Sequence, residues 1–257
     1  MRHIIYPVDF SPRCEAIAPA VAAMARRFGA RVSKMYIARP PDGVGGFGEL
    51  HGHFLTAVEE MRGGLGSYQA AQFEGIETES VFRIGQPARE IVDFAGSPPD
   101  SLIMMATHGY SPFRQLLLGS VASGVLHDAQ CPVWTCTHAE EFAVQHPEGG
   151  YCSILCAVDM GPFTESVIDA AAQVAAQFQA AVHTVHAGQT ESVWPAASAQ
   201  IEMLHGGNVV PTLMAAAERY GADLLVIGRG HAQGMLGRLR SNAHDLIRFS
   251  RCPVLSV

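Results

Sequence analysis

Ile4-Ile5-Tyr6-Pro7-Val8-Asp9-Phe10-Ser11-Pro12 is answered, 150 residues on, by Ile154-Leu155-Cys156-Ala157-Val158-Asp159-Met160-Gly161-Pro162. The register continues without a gap: Glu15 stands over Glu165, Phe28 over Phe178, Ala30 over Ala180 and Val32 over Val182. The far ends agree as well, with Cys131-Pro132-Val133 closing the first half and Cys252-Pro253-Val254 the second. A chain that repeats itself in this way reads as two tandem domains, residues 1–138 and 151–257. A polar link at about Thr137–Gly150 joins them.

Each copy opens with an apolar run ending at an Asp, which predicts a buried strand. In the first copy Ser11-Pro12 then supplies a helix start, with Ser as N-cap and Pro at the first helical position. Ile17, Ala20, Val21, Met24 and Phe28 form an apolar stripe at helical spacing over residues 12–28, and Gly29 stops it. Strands follow at 31–37, Thr78–Ile84, Ser101–Ala106 and Pro132–Thr135, with helices at Leu50–Gln72, Pro87–Ala95 and Ser120–Asp128 between them. Strands alternating with helices predict an α/β fold, and continuous apolar strands predict a parallel sheet covered on both faces. The expected fold is therefore two tandem doubly wound, five-stranded parallel sheets. Between Val185 and Ile201 the second copy has little room for a helix, so its second helix is expected to be lost or reduced, with Trp194 packed over its place.

Hydrophobic residues make up 48% of the 257, enough aliphatic material for real cores and not for a disordered chain. The net charge of −7 and the lack of a Lys/Arg run disfavour a nucleic-acid partner. Lys34 is the one lysine and lies in an apolar stretch, so the chain has no P-loop. No apolar run has the length of a membrane span and the N-terminus lacks a signal pattern, which predicts a cytoplasmic protein. The six cysteines show no C-x2-C pair and read as small buried hydrophobes in a reducing compartment. His51 and His53, and separately His183, His186 and His205, read as core or solvated residues before metal ligands.

The stretch with chemical content follows the fourth strand. Ala106-Thr107-His108-Gly109 ends the strand, and Gly119-Ser120 opens the next helix. A small-residue turn meeting the free N–H groups of a helix N-terminus is a site for an anion. Asp9 ends the first strand at the same sheet edge, where ligands of doubly wound sheets bind. Asp9 also suits plain helix capping, and Gly109 and Gly119 suit plain turn and cap roles.

Ile-x-Pro-Val-Asp at the start, then His-Gly, Leu-Leu-Leu-Gly-Ser-Val-Ala and Cys-Pro-Val, resembles the universal stress protein family over essentially the whole chain, twice. The resemblance implies ATP, with or without Mg²⁺, in the first copy. Carried over residue by residue, it implies that Asp9 holds the adenosine part, that the Ile37 backbone meets adenine, and that Gly109, Gly119, Ser120 and Val121 hold phosphates. Ala106 stands where the nucleotide-binding pattern has its first glycine, and His108 lies within the pattern. The second copy departs further, with His231 and Arg240 in place of the later glycines. It is expected to serve as a pseudo-two-fold partner through the last strands of the two copies, with further homodimer pairing left open. The implied role is a regulatory stress-response protein and not an enzyme: no P-loop lysine, arginine finger or base is evident. A nucleotide switch would show in the Pro40–Gly48 and Ala106–Gly119 loops. The alternative is a scaffold or interaction module without nucleotide. An adenylating enzyme would need a Ser-Gly-Gly-x-Asp-Ser loop where Asp9-Phe10-Ser11-Pro12 stands.

Overall fold

The computed structural model describes residues 1–40, 49–96, 100–108, 118–188, 200–229 and 241–257. The first copy runs β1 (His3–Pro7), α1 (Pro12–Phe28), β2 (Arg31–Ala38), α2 (Glu49–Ser67), β3 (Thr78–Ile84), α3 (Pro87–Ala95), β4 (Ser101–Ala106), α4 (Ser120–Asp128) and β5 (Val133–Cys136). After α5 (Ala139–Gln145), the second copy runs β6 (Ser153–Ala157), α6 (Thr164–Phe178), β7 (Ala181–Ala187), β8 (Ile201–Leu204), α7 (Val209–Arg219), β9 (Leu224–Ile227), α8 (Ser241–Phe249) and β10 (Val254–Ser256).

The ten strands form a single sheet in the order β3-β2-β1-β4-β5-β10-β9-β6-β7-β8. Each half has the doubly wound parallel arrangement read from the sequence. The halves meet where β5 and β10 pair antiparallel, with Thr135 opposite Val254 and Val133 opposite Ser256. The strand carboxyl ends of the two copies therefore point to opposite edges of the sheet.

Local chemistry explains the elements. Ser11 caps α1 by accepting from the Cys14 N–H at 3.2 Å, with Pro12 at the first helical position. Gly29 ends the helix in the left-handed conformation, φ +60°. α6 ends the same way at Gln179, φ +58°, without glycine's freedom. Alternate strand residues enter two apolar layers. Ile4, Tyr6, Leu102, Trp134, Ile154 and Leu255 lie in one, and Ile5, Ile103, Val133, Leu155 and Val254 in the other. Both layers cross the β5–β10 seam.

The link between copies differs from its sequence reading. Ala139–Gln145 is helical, and Ala139, Phe142 and Tyr151 are buried. Phe142 sits between Trp134 and Tyr151, each at a centroid distance of 6.3 Å, and Tyr151 meets Phe178 at 4.9 Å. Seven residues with one large buried side chain, Phe142, are too few for a periodic pattern, so only packing discloses the helix. Gly149, φ +68°, closes it against α1: a Cβ there would fall 2.4 Å from the Cα of Ala20. Five cysteines are buried as expected, whereas Cys152 is exposed. Lys34 is buried, and its Nζ donates to the Gly66 and Tyr68 carbonyls at the end of α2, at 2.8 and 3.2 Å. Burial pushes its pKa down. The expected loss of the second helix in copy two, and Trp194, fall within 189–199, outside the described residues.

Candidate functional site

The carboxyl ends of β1, β2 and β4 and the opening of α4 form one edge of the first half. Asp9 is exposed there, and its Oδ1 accepts the Ser11 N–H at 2.9 Å. This Asp-centred turn carries the chain from β1 into α1 through Phe10, which has φ +59°. The Phe10 ring packs on Tyr36 and Tyr68, at 5.4 and 5.0 Å. Ile37, half-buried, lies beside Tyr36 near the end of β2.

At the end of β4, Ala106 is half-buried and pairs with Cys136. Positive φ among the described non-glycine residues occurs at Phe10, Gln69, Met160 and Gln179, so Ala106 keeps a conformation that its methyl tolerates. Thr107 is buried; its N–H donates to the Cys136 carbonyl at 3.1 Å, and its carbonyl accepts the Gly119 N–H at 2.9 Å. That last contact ties the strand end to the helix start. A Cβ on Gly119 would sit 2.7 Å from the Thr107 oxygen, so glycine is required there by close approach and not by φ, which is −59°. His108 is buried, with Nδ1 2.9 Å from the Thr107 hydroxyl. Ser120 is exposed and Val121 half-buried in the first turn of α4. Among the described residues no side chain caps that turn and no acidic residue lies in it. Its free N–H groups and positive dipole end suit an anion. Asp9, Ile37, Ala106, His108, Gly119, Ser120 and Val121 thus share one sheet edge. Gly109, and residues 41–48 and 109–117 of the expected switch loops Pro40–Gly48 and Ala106–Gly119, lie outside the described residues.

The second copy repeats the frame and changes the site. Asp159 Oδ1 accepts the Gly161 N–H at 2.9 Å, and Met160 has φ +58°, as at Asp9 and Phe10. Where Thr107 stands in copy one, copy two has Arg229, a residue that sequence reasoning did not single out. Its backbone N–H meets the Val257 carbonyl at 2.9 Å, as Thr107 meets Cys136. Its guanidinium is buried and crosses the seam. Nη1 donates to the Ala129 carbonyl at 3.0 Å and Nη2 to the Cys131 carbonyl at 2.5 Å. Ala129 is the C-cap of α4, so a cation from copy two sits on the negative end of the helix whose N-terminus opens the candidate site. Burial pushes the Arg229 pKa down. The reciprocal tie runs from the Thr107 hydroxyl to Thr137 Oγ1 at 3.3 Å and on to the Ile247 carbonyl of α8 at 2.8 Å. The available sequence signal was an arginine between two glycines at a strand end. Gly230, His231, Arg238 and Arg240 lie outside the described residues.

His183, His186 and His205 do not gather. His183 stacks on Tyr220 at 4.0 Å, His205 lines an open groove with Glu202 and Arg219, and His186 is buried against β6. His51 and His53 fall within α2, with side chains outside the described residues.

Fold and site together define a tandem doubly wound α/β protein in which, among the described residues, the N-terminus of α4 is uncapped at the carboxyl edge of the first half's strands. The sequence profile of the universal stress protein family matches residues 1–137 and 194–257, and the chain belongs to that family. A universal stress protein of Methanocaldococcus jannaschii is 33% identical over 137 residues, covering 51% of this chain and 79% of that protein. One from Bacillus subtilis is 31% identical over 87 residues, covering 32% of this chain and 59% of its own. Among solved structures, a universal stress protein from Archaeoglobus fulgidus superimposes with a TM-score of 0.76 at 20% identity, covering 99% of this chain and 95% of that one. A Pseudomonas aeruginosa protein of unknown function gives 0.65 at 15% identity, covering 100% and 92%. These two likenesses concern the fold. No helix among the described residues is long and apolar enough to cross a membrane.

Proposed function

We propose that the first copy binds an adenine nucleotide, ATP with or without Mg²⁺, in a cytoplasmic stress-response protein that regulates and does not catalyse. The observation that carries this reading is the uncapped first turn of α4, held against the end of β4 by the Gly119–Thr107 contact. A tri- or diphosphate placed there meets free N–H groups and the Ser120 hydroxyl, while Asp9 and the Ile37 backbone stand on the same edge for the nucleoside. Copy two acts as the bound partner domain, with Arg229 at the position of Thr107 reaching across the seam.

Calorimetric titration of ATP·Mg²⁺ into nucleotide-stripped protein tests this, with Ser120→Glu as the variant. A glutamate in the first turn favours the helix by about 0.3–1 kcal/mol and repels phosphate. The expected result is one site per chain in the native protein and at least tenfold weaker binding in the variant, with its melting temperature unchanged or raised. Gly119→Arg is a poorer variant, since any side chain there meets the Thr107 carbonyl.

A second reading, an interaction module without nucleotide, is favoured by Asp9 and Asp159 making the same turn in both copies. No heat with ATP or ADP, and no nucleotide carried through purification, would select it.

A further inference from the structure

Tyr36 and His186 occupy one position of the repeat, 150 residues apart. In copy one, Tyr36 is flanked by Phe10 and Phe82, with ring centroids at 5.4 and 5.6 Å. The corresponding residues of copy two are Met160, His186 and Met203. His186 is the register partner of Met203 on β8, as Tyr36 is of Phe82 on β3. Partners on neighbouring parallel strands stand about 4.8 Å apart with side chains on the same face. Met160 shares the left-handed backbone of Phe10, and both pack against the same apolar layer. An aromatic trio in one copy is thus an imidazole with two thioethers in the other.

The imidazole is in a defined state. His186 is 6% exposed, and its Nδ1 lies 2.8 Å from the Val158 carbonyl. A carbonyl only accepts, so the proton of the neutral ring is on Nδ1 and Nε2 carries the lone pair. Among the described residues Nε2 is buried without a hydrogen-bond partner, whereas buried polar atoms are as a rule paired. A Cβ at position 188 would sit 2.7 Å from Nε2, so glycine there keeps a side chain from crowding that nitrogen.

We propose that His186, Met203 and Met160 form a binding site for a soft monovalent metal ion of the Cu(I) class. Thioethers are soft donors that select Cu(I) over the hard or borderline divalent ions, and a neutral imidazole completes a set without carboxylates. The Nδ1–H bond to Val158 is the outer contact that holds a metal-binding imidazole in its tautomer and orientation. The site lies in the second copy, at the opposite sheet edge from the nucleotide edge, and stands independently of nucleotide binding.

The test uses Ag(I), a redox-inert member of the same class, added in chloride-free buffer to the full chain. The background is Cys152→Ser, which removes the exposed thiol as a competing ligand. Binding is read by calorimetry and by the imidazole ¹⁵N resonances of His186. The expected result is one equivalent that moves the Nε2 resonance, binding at least tenfold weaker in Met203→Leu, and loss of that equivalent in His186→Phe. Met203→Leu conserves volume, so its melting temperature should match the parent. Three outcomes overturn the proposal: no shift at Nε2, equal affinity in Met203→Leu, or an equivalent that survives in His186→Phe and so belongs to the buried cysteines.

Discussion

The turn after β4 and the turn after β9 descend from one sequence pattern and do opposite work. After β4, Thr107 stays within its own half and leaves the N-terminus of α4 open. After β9, Arg229 turns its side chain across the seam and satisfies two carbonyls at the far end of that same helix. A repeated frame therefore does not imply a repeated site. Backbone geometry is retained in the turn after the first strand of each copy, with φ +59° at Phe10 and +58° at Met160, while one side chain changes a turn into a strut.

The largest expected effect breaks the strut. Arg229→Met leaves the Ala129 and Cys131 carbonyls without the guanidinium. Hydrogen bonds to a charged group contribute about 1.5–3 kcal/mol each, so a loss of about 3 kcal/mol is expected. Chemical denaturation measures it, and a loss below 1 kcal/mol would show that the seam holds without Arg229.

Next comes a matched pair of glycines. Gly119→Ala forces a methyl within 2.7 Å of the Thr107 oxygen and should cost about 1–3 kcal/mol. Gly228→Ala, at the position of Ala106, meets only the Val167 side chain at 3.2 Å and should cost less than 1 kcal/mol. Equal costs would refute the account of Gly119 as the close contact between β4 and α4.

The helix ends give a smaller effect of opposite sign. Gly29 and Gln179 hold the same left-handed conformation. Gln179→Gly should stabilise the protein by roughly 0.5–1 kcal/mol, because glycine adopts that region without the Cβ penalty. Thermal unfolding reads the gain.

The smallest effect is a pH dependence confined to copy one. His3 is buried, with Nε2 2.5 Å from Ser33 Oγ, and Ser33 in turn donates to Glu79. Its counterpart in copy two is Ser153. Burial, then the Arg31 charge, holds the His3 pKa below the ordinary value of 6.5, against an opposing pull from Glu79. The native state then binds fewer protons than the unfolded chain between the two pKa values. Stability should rise with pH through that window and flatten above about 6.5. In His3→Gln this contribution to the slope should vanish; an unchanged slope would assign it to other groups.

Much of the architecture was legible because it rests on short-range rules. The buried strands are continuous apolar runs, α1 carries its cap, stripe and stop in sequence, and the repeat shows by direct alignment. The site edge was legible for the same reason, since a strand end followed by Gly119-Ser120 at a helix start is a local pattern. Helix α5 was not, because Phe142 becomes apolar surface worth burying only when Trp134 and Tyr151 flank it.

By itself the sequence determined the two copies, the parallel α/β class of each and most of the residues gathered at the carboxyl edge of the first copy's strands. All of these follow from the periodicity and capping of neighbouring residues. The family resemblance implied pairing through the last strands, seen at β5 and β10, whereas tertiary structure alone decided that Arg229 bonds to residues about a hundred positions away and that His186 and Met203 stand in register on neighbouring strands. Those relations depend on strand register and on antiparallel pairing across the seam, which bring together groups that no local pattern connects.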